Sequence, residues 1–347
     1  MSNIHYTDSK WNHGYARFLP WHRLFLLAIE AAMSKCVGRP ITLPYWNSAL
    51  DASNVDGPAQ SIVFKALHTN VFKYTCAIPS PHPLRRSFGG TTLPSTEQIA
   101  KMTNTNDFNE FRQNVEGFIH GTPHVFIGGD MANMYSSNDP IFYLHHCNVD
   151  RLWASWQRQS AVRAGSYAGT DPKKNGGAVT LDDVMSVNYA SKYAPDRKVR
   201  ELLSVQRLGY EYSLGATVAT NGGHTVDTAV KTPSTQRKLQ GVDAQPKVYL
   251  RPLEPLPGDW IRMNRIEPAR IENQRKEVNE FTAWVNKRTT YKPRFNKVKS
   301  TFRRRTPEEH KRHKEVISNL VASYSVGKKN PAPRKSTVKV DRPPPLI

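Results

Sequence analysis

Residues 139–153 read DPIFYLHHCNVDRLW. Asp139 suits a helix N-cap and Pro140 a first helical position, so this stretch, continued by ASWQRQ, predicts a helix. It carries an adjacent histidine pair, His145 and His146. Asp150 stands four residues beyond His146 and therefore on the same face. Both histidines have apolar company, and helical geometry does not choose between them.

Upstream, a second helix is predicted over about 106–124, fraying at Gly121 and Pro123, with GGDMANMYSSN (128–138) as the loop that follows. His120 and His124 are four apart on it, so their side chains leave one face and can grip one metal. A third helix is predicted over 19–35 (LPWHRLFLLAIEAAMSK), with Pro20 in its first turn and Gly38-Arg39-Pro40 as its stop. It carries His22, preceded by His13 and His5 at intervals of nine and eight residues.

A lone helical histidine is more often a hydrogen-bonded surface or core residue than a ligand. Two sets of three, with almost no cysteine or paired acid nearby, point instead to metal. Imidazole-only sites suit copper, zinc or iron. Two such sets suggest two metals sharing a substrate, in oxygen chemistry or in two-metal hydrolysis. Spacing alone does not separate these.

The rest of the chain bounds the reading. Its 347 residues, 38% hydrophobic with seven tryptophans, suffice for a sizeable core. No apolar run is long enough to span a membrane and no secretory leader is visible; the compartment is open, cytoplasmic by default, since a missing front segment would have taken a leader with it. Cys36, Cys76 and Cys147 are too few and too scattered for a disulfide framework. The net charge of +20 is uneven: residues 285–347 hold 18 Lys/Arg against 4 Asp/Glu, or +14. The body is therefore ordinary in charge, and a global argument for nucleic-acid binding fails.

Residues 51–105 read as a long irregular excursion. A domain is expected over 1–215 and a Gly/Thr-rich linker over 216–246. A C-terminal extension over 247–288 contains a helix at about 268–286. A basic, largely disordered tail over 289–347 has a candidate helix near 307–324.

The stretch HGYARFLPWHR (13–23), with Leu26 and Glu30 after it, resembles the first-copper signature of the tyrosinase and polyphenol oxidase family of type 3 dicopper proteins. DPIFYLHHCNVDRLW resembles the second-copper signature. Leu43-Pro44-Tyr45-Trp46, Gly128-Gly129 and Tyr210-Glu211-Tyr212 are similar to further landmarks of that family. The resemblance covers roughly residues 3–215.

It implies a mainly α fold: a four-helix bundle holding a dicopper site, with long irregular loops. The implied cofactors are two copper ions, one on His5, His13 and His22, the other on His120, His124 and His146. In the family's pattern the histidine four before the aspartate is the ligand, which selects His146 over His145. The implied reaction uses dioxygen to oxidise a small phenolic substrate to an o-quinone.

The departures from the pattern are informative. Fungal members often carry a cysteine, joined by a thioether, two residues before the second histidine; here that residue is Trp11. Monophenol-hydroxylating members often have an asparagine after the histidine that matches His120, helping a glutamate-held water deprotonate the phenol. Here Gly121 stands there, and Glu116 is the candidate catalytic carboxylate, with a solvent-facing glutamate as the alternative. This favours o-diphenols or o-aminophenols as substrates over monophenols. Asn47 replaces an aspartate, whereas Arg23, Glu30 and Asp150 read as scaffold charges.

Only four residues precede His5, where family members usually have several dozen. The expectation is therefore a fragment, or a lineage that has shed the segment, with His5 on a frayed terminus. Three rival readings follow. One is an inactive or oxygen-binding dicopper protein, and another a tail that binds an acidic polymer or surface. The third is an extension near 247–285 that covers the site, with no covering residue identifiable in the sequence.

Overall fold

The computed structural model of the protein describes residues 2–52, 61, 63–64, 75–76, 78, 80–212 and 249–288, all within one compact unit spanning 1–302. The expected linker over 216–246, the basic tail over 289–347 and the candidate helix near 307–324 lie outside the described residues.

The fold is mainly α. In chain order the helices are α1 (Ser2–Asn12), α2 (Phe18–Val37), α3 (Thr96–Thr103), α4 (Phe108–Asn114), α5 (His120–Ile127), α6 (Ile141–Gln157), α7 (Ala161–Gly165), α8 (Val199–Leu202), α9 (Gly258–Met263) and α10 (Pro268–Asn286). A π-helical turn, Val115–Ile119, joins α4 to α5 into one continuous rod. Among the described residues, β-structure is limited to three antiparallel pairs of two-residue strands. None of the described helices is long and apolar enough to cross a membrane.

Four helices, α1, α2, α5 and α6, bring their histidine-bearing faces together. The α2 helix packs along α6 and ends at Gly38, whose left-handed φ of 71° is open to glycine at little steric cost. At the start of α6, Asp139 accepts from the Ile141 amide (3.0 Å) and takes a two-pronged grip from Arg86 (2.6 and 2.7 Å). Two apolar clusters flank the histidines. One stacks Phe111 on Trp156, at 4.5 Å between centroids, and includes Leu256 and Trp260; the other is built around Trp21, Phe25 and Phe142.

Three expectations are corrected. The rod does not fray at Gly121 and Pro123 but runs to Ile127, stopped by Gly128 with a φ of 64°. Pro123 has no N–H to give Ile119, and that residue is where the wide turn ends. The supposed excursion over 51–105 contains α3, started by a reciprocal cap in which Ser95 and Gln98 satisfy each other's backbone. His5 sits not on a frayed end but on the buried face of α1. Asn188 donates to both oxygens of Asp8 there (2.7 and 2.6 Å), and Ile4 joins the core.

Candidate metal centre

Two groups of buried histidines emerge. The ligand atoms of His5, His13 and His22 lie within 4.8 Å of one another, and so do those of His120, His124, His145 and His146. The groups abut: His22 stacks on His146 at 4.3 Å and 9°, and His13 lies 6.2 Å from His120. Phe142 packs on His5 and His146 (4.8 and 4.2 Å), and Phe18 on His22 and His120 (4.7 and 4.9 Å). Both phenylalanines are fully buried.

Five of these rings are oriented by backbone carbonyls. Each Nδ1–H donates: His5 to Met134 O (2.7 Å), His13 to Ser9 O (3.1 Å), His22 to Phe18 O (2.8 Å), His120 to Glu116 O (3.2 Å) and His124 to Met131 O (2.6 Å). A carbonyl only accepts, so the proton belongs on Nδ1 and the lone pair on Nε2. The Nε2 atoms of His5, His22, His120 and His124 are buried without any hydrogen-bond partner, as are both ring nitrogens of His146. So many orphaned acceptors in one place are costly unless something electrophilic satisfies them. This donor set fits a metal pair.

Burial also keeps the rings neutral, the form that ligates. It lowers His5 to about 4 and His124 to about 3, in each case opposed by the backbone bond. It drives His13, His22, His120 and His146 well below the ordinary histidine value, with neighbouring imidazoles adding to the effect. His145 differs. Its Nε2–H donates to His120 O (3.1 Å), and its ring stacks on His120 at 5.4 Å.

The structure does not bring the Glu116 carboxylate into the histidine cavity. Oε1 accepts from the Gly14 amide (2.6 Å) and Oε2 from Arg112 (2.7 Å). The side chain lines a separate cavity of about 90 Å³ with Arg265 and Ile271. Burial pushes its pKa up to about 7 against the pull of Arg112.

The histidine cavity itself is small, about 10 Å³, and is bounded by Ser136, Trp260, Met263 and Asn264 together with His5, His13, His120 and His124. Trp260, on α9, lies 5.9 Å from His120 and 6.5 Å from His124 and closes it. Sequence reasoning missed this residue. The only hint was a tryptophan after Pro-Gly-Asp in a polar stretch.

The scaffold charges tie the bundle together. Asp150 accepts from Arg23 (2.6 Å), Tyr210 (2.7 Å) and Tyr212 (2.6 Å), and the Arg23 guanidinium lies 3.7 Å over the Trp153 ring. Glu30 accepts from the Leu43 amide (2.8 Å), anchoring the Leu-Pro-Tyr-Trp segment to α2.

A family model described as the common central domain of tyrosinase matches residues 1–83 and 80–159. The chain is 32% identical over 209 residues to a tyrosinase of Streptomyces lincolnensis, covering 50% of this chain and 72% of that one. It is 28% identical over 235 residues to the tyrosinase ustQ of Aspergillus flavus, covering 57% and 64%. Among solved structures, a functional unit of octopus hemocyanin matches with a TM-score of 0.41 and 25% identity over 58% of this chain and 52% of that one.

Proposed function

From the premise that the chain belongs to the tyrosinase family, we propose that it oxidises o-diphenols or o-aminophenols to o-quinones with dioxygen. Its cofactor is two copper ions. His5, His13 and His22 would hold one and His120, His124 and His146 the other, with His145 buttressing His120 from behind. The pair supplies the redox chemistry that couples dioxygen reduction to phenol oxidation.

The chain's own contribution is placement. Five Nδ1 protons are held on carbonyls, so five lone pairs are fixed before any metal arrives. Phe18 and Phe142 keep water out. Glu116 acts at one remove: its carboxylate fixes Gly14 beside His13, and its carbonyl aims His120. The preference for diphenols rests on Gly121, whose place for a side chain is filled by the Trp260 ring. A phenol enters once that ring swings aside, because a cavity of about 10 Å³ holds no aromatic ring. The same closure favours, as the second reading, a protein that binds dioxygen and turns phenols over slowly.

The observation that carries the proposal is the set of buried, unpartnered Nε2 atoms. Copper per chain, followed by oxygen uptake with catechol and with tyrosine, tests it. Two coppers with catechol oxidised and tyrosine inert is the expected result. One copper or none overturns the dicopper assignment, and two coppers without phenol turnover select the oxygen-binding reading.

A further inference from the structure

We propose that the buried His82–Asp130 pair is a positioning device for both copper sets, fastening the loop whose Met131 and Met134 carbonyls aim His124 and His5. The inference rests on the copper reading above.

His13, His22 and His120 each bond a carbonyl four residues back, so their orientation is set by their own local backbone. His5 and His124 have no such support. Their partners, Met134 O and Met131 O, lie in the loop between α5 and α6, at sequence separations of 129 and 7. One ligand from each set therefore depends on where this loop stands. Its only regular structure is a pair of 3₁₀ turns, Gly129–Ala132 and Ser136–Asn138.

A strap formed by residues 78 and 80–89 holds the loop. The Ser87 amide donates to Ile127 O (2.8 Å), the Asp130 amide to Arg85 O (2.9 Å) and the Asn138 side chain to Ile78 O (2.8 Å). The approach is close enough to require both glycines: a Cβ on Gly128 would meet Ser87 Oγ at 2.2 Å, and one on Gly129 would meet Arg85 O at 2.1 Å.

Among the described residues, two buried side-chain pairs join strap and loop: His82–Asp130, and the Arg86–Asp139 grip at the loop's far end. His82 Nε2 bonds both carboxylate oxygens (3.1 and 3.0 Å) while Nδ1 bonds Ser80 O (2.6 Å), so the ring is held at both ends. Asp130 immediately precedes Met131. Neither member of the pair lines the histidine cavity, so its effect on copper passes through the loop.

The test uses the full chain and competition for Cu(I) against a chromophoric chelator, alongside thermal unfolding of the metal-free protein. Asp130→Ala is expected to weaken retention of both coppers together by about 10–100-fold, the range for groups that orient metal ligands. Asp130→Asn, which keeps an oxygen acceptor for His82, is expected to fall between. The control is Ile99→Ala, a core truncation on α3 away from the loop. If Asp130→Ala holds copper as tightly as Ile99→Ala at a matched melting temperature, the inference is overturned. Wild-type protein that takes up no copper overturns the copper reading and this inference with it. Wild type with two coppers and an unaffected Asp130→Ala overturns this inference alone.

Discussion

The ring of Trp260 stands where a side chain on Gly121 would have to go: a Cβ there would lie 2.5 Å from Cη2 and 2.7 Å from Cζ3. Gly121→Ala is therefore expected to cost about 1–3 kcal/mol through overpacking, and Trp260→Ala about 3–5 kcal/mol through the cavity it leaves. The two should not add. In the double variant the clash is gone, and a double-mutant cycle by urea unfolding should return a coupling of about 1 kcal/mol or more. Additive losses would mean that the ring and the glycine do not meet.

Trp260→Ala should also raise kcat/KM for catechol, mainly by lowering KM, because the ring closes the cavity. Oxygen uptake at several catechol concentrations checks this. Unchanged KM would show that substrate reaches the histidines by another route.

Copper content should separate the adjacent histidines. His146→Ala is expected to leave about one copper per chain, since His146 has no protein partner at either ring nitrogen. His145→Gln, which still donates to His120 O, is expected to retain two. His5→Ala should drop to about one with helicity preserved. The readouts are metal analysis and circular dichroism.

The metal-free protein should be acid-labile. Burial lowers the pKa of His5 to about 4 and of His124 to about 3, so the folded chain resists protons that the unfolded chain accepts below about 6.5. Stability is then full above about 6.5 and falls as pH drops towards 4 and 3, each ring contributing a loss of about 1.4 kcal/mol for every pH step of one. Copper competes with those protons, so the loaded protein should unfold at distinctly lower pH. Ellipticity against pH for both forms measures this, and coincident curves would refute it.

Asp150→Asn should destabilise by about 3–5 kcal/mol, because it strands a fully buried Arg23. Tyr212→Phe removes one of the donors to Asp150 and should cost about 1.5–3 kcal/mol, the scale of a hydrogen bond to a charged group. Urea midpoints distinguish the two.

The sequence carried the helices that hold His22, His120, His124, His145 and His146, because i,i+4 pairs such as His120 and His124 and caps such as Asp139 are local, but not α1, which holds His5. It carried the scaffold role of Arg23 and Asp150 through their resemblance to a known pattern. It did not carry the order of His5, which comes from Asp8 meeting Asn188, 180 residues away. Nor could it show Met131 and Met134 acting through their carbonyls, since backbone groups leave no trace in side-chain identity. The role of Gly121 was half legible: the missing side chain was plain, but the ring filling its place comes from α9. The start of α3 was legible and missed, for Ser95 and Gln98 have the spacing of a reciprocal cap. Arg112 and Glu116 are likewise an i,i+4 pair, and pairing them from the sequence would have turned the carboxylate away from the cavity.

The wide turn at Val115–Ile119 has a consequence for how this rod tolerates change in length. An α-helix advances about 100° per residue, and a π-turn accommodates one residue more than an α-turn would. Winding all of its residues as α would rotate His120 and His124 relative to α4 by roughly a quarter turn, whereas removing one residue and relaxing to α would leave them nearly in phase. The turn therefore works as a phase adjuster. It lets one rod bury Phe108 and Phe111 against the tryptophans and still present two imidazoles in a different direction.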